Sequence, residues 1–496
     1  MFYNKFLKSC FLKNVISSIL VLALVAFLTF STVQTAYSNG NISDTRETTV
    51  LNVLDFGAKG DGVTDDSHAF QRAIDDASSR DVTLLIPASD TPYLIRTTLR
   101  LRSNTHIRGY GATLFMPSAP EKINLLWSSS RDFISNVTIE GLTLKSKHDR
   151  IGSNHHKNGL TSRIQGIYLL GVNNLQLKDI TMHNMAAGFK LTWAVNGGLN
   201  RNIKVDNLRV YNAGTALLVH STDNFIMTNS ILCARGGSGR FQHSAYISGD
   251  TSNFLFDNVA FKNSSGGGIH LYNGHDDKAA PQNIEFRNSV IDNVRTGLYI
   301  FSGSKDITIS DLTMTNYARA FEIWDSSNID IQNVAISRQT QVFGSDIGYG
   351  FHIRNSSDIN ISDVAINGDD KVGQVFLMSR TTSNINISSV KVNGLNNNQF
   401  VFANVGSLIR KVVVKNSTVE WTNTSWHRIS LRGVGSDAIF RNNTFINKGR
   451  EARSLSFNTL GTNVLLENNS YKGFARISHP WDHATLLNNI RLPQAH

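Results

Sequence analysis

The chain has 496 residues, of which 41% are hydrophobic and 17% charged, with two cysteines and a formal net charge of +10. That length and apolar content can bury a large core, and two cysteines rule out a disulfide-built scaffold. The positive balance suits an acidic polymer or a charged surface, but no nucleic-acid-binding signature accompanies it, so no nucleic-acid partner is expected.

Lys5, Lys8 and Lys13 precede an apolar run from Val15 to Phe30, and Ala36-Tyr37-Ser38 follows as a small-x-small cleavage site. This is the grammar of a signal peptide over residues 1–38. An uncleaved anchor is the alternative, but the run is shorter than the ~20 residues a spanning helix needs. A secreted, periplasmic or cell-surface protein without stable membrane insertion is therefore expected. Cleavage would lower the formal charge from +10 to +7 and remove Cys10, leaving Cys233 without an intramolecular partner. Residues 39–49 read as a linker.

Residues 50–90 read as a cap. Asn52 to Ala77 (NVLDFGAKGDGVTDDSHAFQRAIDDA) place turns at Gly57, Gly60 and Gly62, and Thr64 is a candidate helix cap, with Asp65 and Asp66 in the first turn. Ala69, Phe70, Ala73, Ile74 and Ala77 then share one helical face, suited to closing the open end of a solenoid. This segment, with PYLIRTTLRLRSNTHIRGYGATLFM from Pro92 to Met116, resembles the N-terminal signature of the pectin-lyase-like superfamily. That group includes rhamnogalacturonase, pectate-lyase-related domains, mannuronan C5-epimerases and phage tailspikes. The resemblance implies a right-handed parallel β-helix and leaves the reaction open, because members hydrolyse, eliminate or epimerise.

A nine-residue phrase then recurs: Asn or Asp, apolar, any, apolar, any, Asn or Asp, two of any kind, apolar. Copies include NLQLKDITM from Asn174, NFLFDNVAF from Asn253, NIEFRNSVI from Asn283 and DINISDVAI from Asp358, with starts 22 to 30 residues apart between Asn174 and Asn384. Alternation within the phrase describes two short strands with one buried face, turned by the intervening Asn or Asp. Such coils must stack to share a core. A leucine-rich repeat has a similar period, but its consensus and its helical segments are missing. The expected fold is an all-β, right-handed parallel β-helix with an N-terminal capping helix. Its coils are expected over 91–470, with a C-terminal tail or cap over 471–496.

A second segment, opened by a small residue, precedes each phrase: GIYLL from Gly166, GFKLT from Gly188, ALLVH from Ala216, SAYIS from Ser244, GIHLY from Gly268, GLYIF from Gly297, AFEIW from Ala320 and GFHIR from Gly350, then QVFLM from Gln374. Positions two and four are apolar or small and are expected to face inward, so positions three and five face out. Position three holds Tyr168, Lys190, Leu218, Tyr246, His270, Tyr299, Glu322, His352 and Phe376. Position five holds Leu170, Thr192, His220, Ser248, Tyr272, Phe301, Trp324, Arg354 and Met378. Stacked coil on coil, these rows make an aromatic and cationic stripe suited to a carbohydrate.

The catalytic candidates are His270, Tyr246, Tyr299, Glu322 and His352. The substrate-binding candidates are Lys190, His220, His243, Tyr272, Phe301, Trp324 and Arg354. Proton transfer at C5 of a uronic acid needs a base, an acid and a neutralised carboxylate. His270 is the expected base and a tyrosine the acid, with Lys190, His220, His243 or Arg354 holding the carboxylate. A lyase or C5-epimerase on an acidic polysaccharide is the leading reading. A glycoside hydrolase, which needs two carboxyl groups, would have to use Glu322 with Asp325, or with Asp250, Asp276 or Asp277. A non-catalytic carbohydrate-binding surface protein is the alternative of another class. No cofactor is required. Calcium on Asp276, Asp277, Asp369 and Asp370 is an option without a supporting motif, and His155-His156 lack ligand partners for a metal site. A monomer is expected.

Overall fold

The computed structural model describes residues 50–117, 123–129, 133–147, 164–193, 197–235, 242–273, 279–337, 348–367, 372–396, 399–403, 407–423, 428–431, 436–449, 454–459, 462–478 and 484–493. The expected signal peptide and linker, His155, His156, Asp276, Asp277, Asp369 and Asp370 lie outside these residues. Among the described residues no helix is long and apolar enough to cross a membrane.

Strands pair in parallel from Val50–Asn52 to Ile490–Arg491, each bonded to the equivalent strand one coil away. The fold is the expected right-handed parallel β-helix with three faces. The first half of each phrase builds one face, with Phe254 and Phe256 stacked over Ile284 and Phe286. The second half builds the next, as in Val334 over Val364. The small-opened segments build the third, and their second and fourth residues fill the core: Ala245, Ile247, Ile269, Leu271, Leu298 and Ile300 are all 0% exposed.

The turns between faces carry the repeat's asparagines. Asn253, Asn258, Asn283 and Asn288 all have φ between 50° and 60°, a left-handed conformation that Asn tolerates better than most residues. Their side chains bond from coil to coil: Asn283 Nδ2 donates to Asn253 Oδ1 at 2.6 Å, and Asn258 Nδ2 to Asn229 Oδ1 at 2.9 Å. The asparagine therefore both bends each coil and ties it to the next.

Three boundaries differ from the sequence reading. The helix α1 spans Ser67–Arg80, starting later than a Thr64 cap implies. Thr64 bonds instead to Asp61, and the Asp66 carboxylate accepts from the backbone of Lys59 and Gly60 at 2.7 and 3.1 Å, so these groups hold the glycine turn. The side chain that serves the helix start is Asp65, which accepts from Ser67 N at 3.0 Å. In the third face, Phe351 pairs with Phe376 and His352 with Leu377. Phe376 and Met378 are therefore core residues at 0% exposure, not groove residues, because Val375 rather than Gln374 occupies the small-residue position. Strand stacking also continues past residue 470: Ala484–Leu487 and Ile490–Arg491 follow the phrase with a histidine in its first place and an arginine in its last.

The small openers are required by space. A Cβ on Gly297 would collide with the Met314 thioether and the Ala320 carbonyl. Gly297→Val is expected to destabilise the protein by about 2 kcal/mol through overpacking, read as a lower urea midpoint at an unchanged m value. A midpoint equal to that of the native protein would contradict this account of the corner.

Candidate functional site

The third face aligns the proposed residues in one unbroken row. Tyr168 pairs with Lys190, Lys190 with Leu218, and Leu218 with Tyr246. Tyr246 pairs with His270, His270 with Tyr299, Tyr299 with Glu322, and Glu322 with His352. All five catalytic candidates thus occupy consecutive coils and point to one face. The stripe is less exposed than simple alternation implies, because its rings cover one another; Tyr272, at 37%, is its most open aromatic.

A further row lies three residues earlier, joining Gly267 to Thr296, Thr296 to Arg319, and Arg319 to Tyr349. The sequence reading found only His243 here and missed Thr296, Arg319 and Tyr349. The cause is local: the small opener faces the corner of the core, so the residue before it returns to the outer face and the two-residue period skips. The legible signal was the polar residue directly ahead of several of the small ones, as at His243, Thr296 and Arg319.

At the centre, His270 is ringed by Tyr246, His243, Tyr299, Phe301 and Tyr272, with centroids 5.0, 4.8, 4.8, 5.6 and 5.7 Å away. Burial holds His270 well below the usual imidazole range, so it is neutral at pH 7. Its tautomer follows from the network. The Gly267 N–H donates to His243 Nδ1 at 2.9 Å, which places the His243 proton on Nε2. That nitrogen lies 3.5 Å from His270 Nδ1, so the neutral His270 carries its proton on Nε2, a buried atom with no protein partner. In this arrangement His270 is a hydrogen-bond donor, and neither ring nitrogen is placed as the base the sequence suggested.

The tyrosines retain proton-transfer capacity. Burial, with Tyr272 nearby, pushes Tyr246 up to about 12. Tyr299 is also raised, by burial first and then by Glu322, but a 2.8 Å hydrogen bond donated by Thr296 Oγ1 and the charges of Arg319 and Arg295 pull the other way.

One end of the cluster is cationic. Glu322 is 1% exposed and accepts from Arg319 Nη1 at 2.8 Å, so this carboxylate is engaged by a cation rather than presented to a glycosidic bond. Asp325 lies in a turn and accepts from Asn355 Nδ2 at 2.6 Å, while Asp250 accepts from Ala279 N at 2.6 Å. His352 is pushed down to about 4, by burial first and then by Arg319 and Arg354. Trp324 stacks on Phe301 at 4.6 Å, and the Arg354 guanidinium lies 4.9 Å from the Trp324 ring centroid. At the opposite end Lys190 lies over Tyr168 at 4.2 Å, and buried His220 meets the Trp193 ring at 4.1 Å. Among the described residues no three His, Cys, Asp or Glu side chains gather as a metal site.

Three family models match successive parts of the chain: "Rhamnogalacturonase A/epimerase, pectate lyase-like" over residues 50–123, "Periplasmic copper-binding protein (NosD)" over 123–311, and "Right handed beta helix region" over 278–445. Mannuronan C5-epimerase AlgE1 of Azotobacter vinelandii is 27% identical over 262 residues, covering 45% of this chain and 18% of that protein. AlgE5 of the same organism is 26% identical over 263 residues, covering 45% and 26%. The matched region thus spans about a quarter or less of these relatives' length. Among solved structures, the tailspike of E. coli bacteriophage HK620 in complex with a pentasaccharide aligns with a TM-score of 0.56 at 11% identity, covering 80% of this chain and 78% of that one. The A-module of Azotobacter vinelandii mannuronan C5-epimerase AlgE4 aligns with a TM-score of 0.51 at 16% identity, covering 70% and 96%. With these matches and its stacked parallel coils, the chain is a right-handed parallel β-helix protein whose first coils are similar to the rhamnogalacturonase/epimerase, pectate lyase-like family.

Proposed function

We propose that this chain is an exported enzyme that modifies an acidic polysaccharide by proton transfer at C5 of a uronate, either epimerising that carbon or eliminating across C4 and C5. The observation that carries the reading is the in-register sequence Tyr246, His270, Tyr299 beside the cationic Arg319 and Arg354. Partial likeness to mannuronan C5-epimerases supports the same substrate class. Arg354 receives a substrate carboxylate and stabilises the charge that develops when C5 loses its proton. Tyr299, on which the Arg319 charge acts, takes that proton as the phenolate, its own proton having first gone to solvent, and Tyr246, pushed up to about 12, supplies one. Returning a proton to C5 from the opposite side inverts the carbon; protonating O4 as the C4–O bond breaks completes elimination. The neutral His270 donates a hydrogen bond from Nε2 to the sugar once the surrounding rings admit it.

Incubation with polymannuronate in heavy water separates the outcomes. Deuterium at C5 without new chain ends denotes epimerisation, and ultraviolet-absorbing unsaturated ends appearing with reducing ends denote elimination. Reducing ends alone would mean hydrolysis, and binding without turnover a non-catalytic protein; either result overturns the proposal. Tyr299→Phe is expected to slow product formation by about a hundredfold or more, the usual weight of a proton-transfer group, with the unfolding midpoint retained.

Because burial keeps His270 and His352 neutral around pH 7, kcat/KM is expected to rise from neutral to alkaline pH without an inflection near 6.5. An ascending limb with a pKa near 6.5 would return the base role to an imidazole. Glu322→Gln is expected to cost stability on the order of 2 kcal/mol, since it uncouples a buried carboxylate from a partly exposed Arg319. A fully stable Glu322→Gln protein that has lost all activity would instead favour a hydrolytic carboxylate.

A further inference from the structure

The row that carries Tyr246 and His270 begins well before Lys190. Arg100 pairs with Trp127, Trp127 with Tyr168, and Tyr168 with Lys190. Six coil steps therefore separate Arg100 from His270, or about 29 Å at the usual strand spacing. Arg100 is exposed, and its guanidinium lies 5.3 Å from the centroid of the half-buried Trp127 ring. The same cation-on-ring unit occurs at Lys190 over Tyr168 and at Arg354 over Trp324.

Elsewhere on the coils arginines meet acids: Arg102 meets Asp75 at 3.0 Å, Arg108 meets Glu140 at 3.1 Å, and Arg287 meets Asp257 at 3.0 Å. Among the described residues neither Arg100 nor Arg354 has a carboxylate partner. A guanidinium resting on an indole is oriented by the ring without having its charge cancelled. It remains able to take an anion through charge-assisted hydrogen bonds, while the exposed part of the ring offers a flat surface to a sugar.

We infer that Arg100 and Trp127 form a distal anion subsite on the same track, which takes a carboxylate of the uronate chain several sugars away from the residue at Tyr299. This rests on the uronate reading above and extends it. With Arg354 and Trp324 on the far side of the central cluster, the polymer is gripped on both flanks of the reacting sugar. The favoured substrate is therefore the interior of a long polyuronate, and short oligomers cannot reach both grips.

The test compares calorimetric binding of a mannuronate trisaccharide and a dodecasaccharide in the cold, using the native protein, Arg100→Met and Trp127→Leu, with melting curves as the folding control. The native protein is expected to bind the dodecasaccharide more tightly. Arg100→Met should lose about tenfold of that affinity, the weight of one charge-assisted contact, and keep its trisaccharide affinity; Trp127→Leu should follow the same pattern. Equal dodecasaccharide affinity in the native and Arg100→Met proteins overturns the distal subsite while leaving the uronate reading intact. Equal loss for both lengths also overturns it, since that marks a general disturbance. Failure of the native protein to bind either length overturns the uronate reading, and the subsite with it.

Discussion

Coil-to-coil register is the constraint on which everything else in this molecule depends. Each strand bonds to its counterpart one coil away, so a residue's neighbours on the surface are set by its place in the coil rather than by its neighbours in sequence. The left-handed asparagines keep that register where it is most easily lost, at the corners, by bonding across the gap between coils. A row of chemically distinct side chains can then be assembled from segments 20 to 30 residues apart. Tyr246, His270 and Tyr299 meet for this reason alone.

Much of this was visible in the chain because a two-residue alternation repeated at coil spacing specifies both strand and face. The inward residues of the third face and the shared row from Lys190 to His352 follow from that pattern. It gave way where the backbone departs from strict alternation. At Gln374 the lack of a glycine or alanine opener shifted the reading by one residue and turned the core residues Phe376 and Met378 outward. Ahead of each opener the backbone bends, and Thr296, Arg319 and Tyr349 join the outer face against the period. The state of His270 was not legible at all, because it depends on a backbone N–H of Gly267 acting through His243.

The track divides its electrostatics between two environments. The central rings lower the effective polarity around His270 and Tyr246, which keeps imidazole neutral and phenol protonated. The arginines sit beside that region and leave charge facing the track, while Arg319 offsets the one buried acid of the row, Glu322. A polyanion drawn toward such a surface would give up water over the rings and retain its countercharges at the flanks.

Gly267 occupies the row between His243 and Thr296, and a Cβ there would lie 2.8 Å from the Tyr299 ring and 3.2 Å from His243 Nδ1. The bare backbone at this point is a seat into which the phenol sinks, and the same peptide supplies the N–H that orients His243. Any side chain at 267 would lift the ring toward the polymer and press on the imidazole pair at once. How deep the phenol rides and which way the two imidazoles point are thus set together by a single residue that need not touch the sugar.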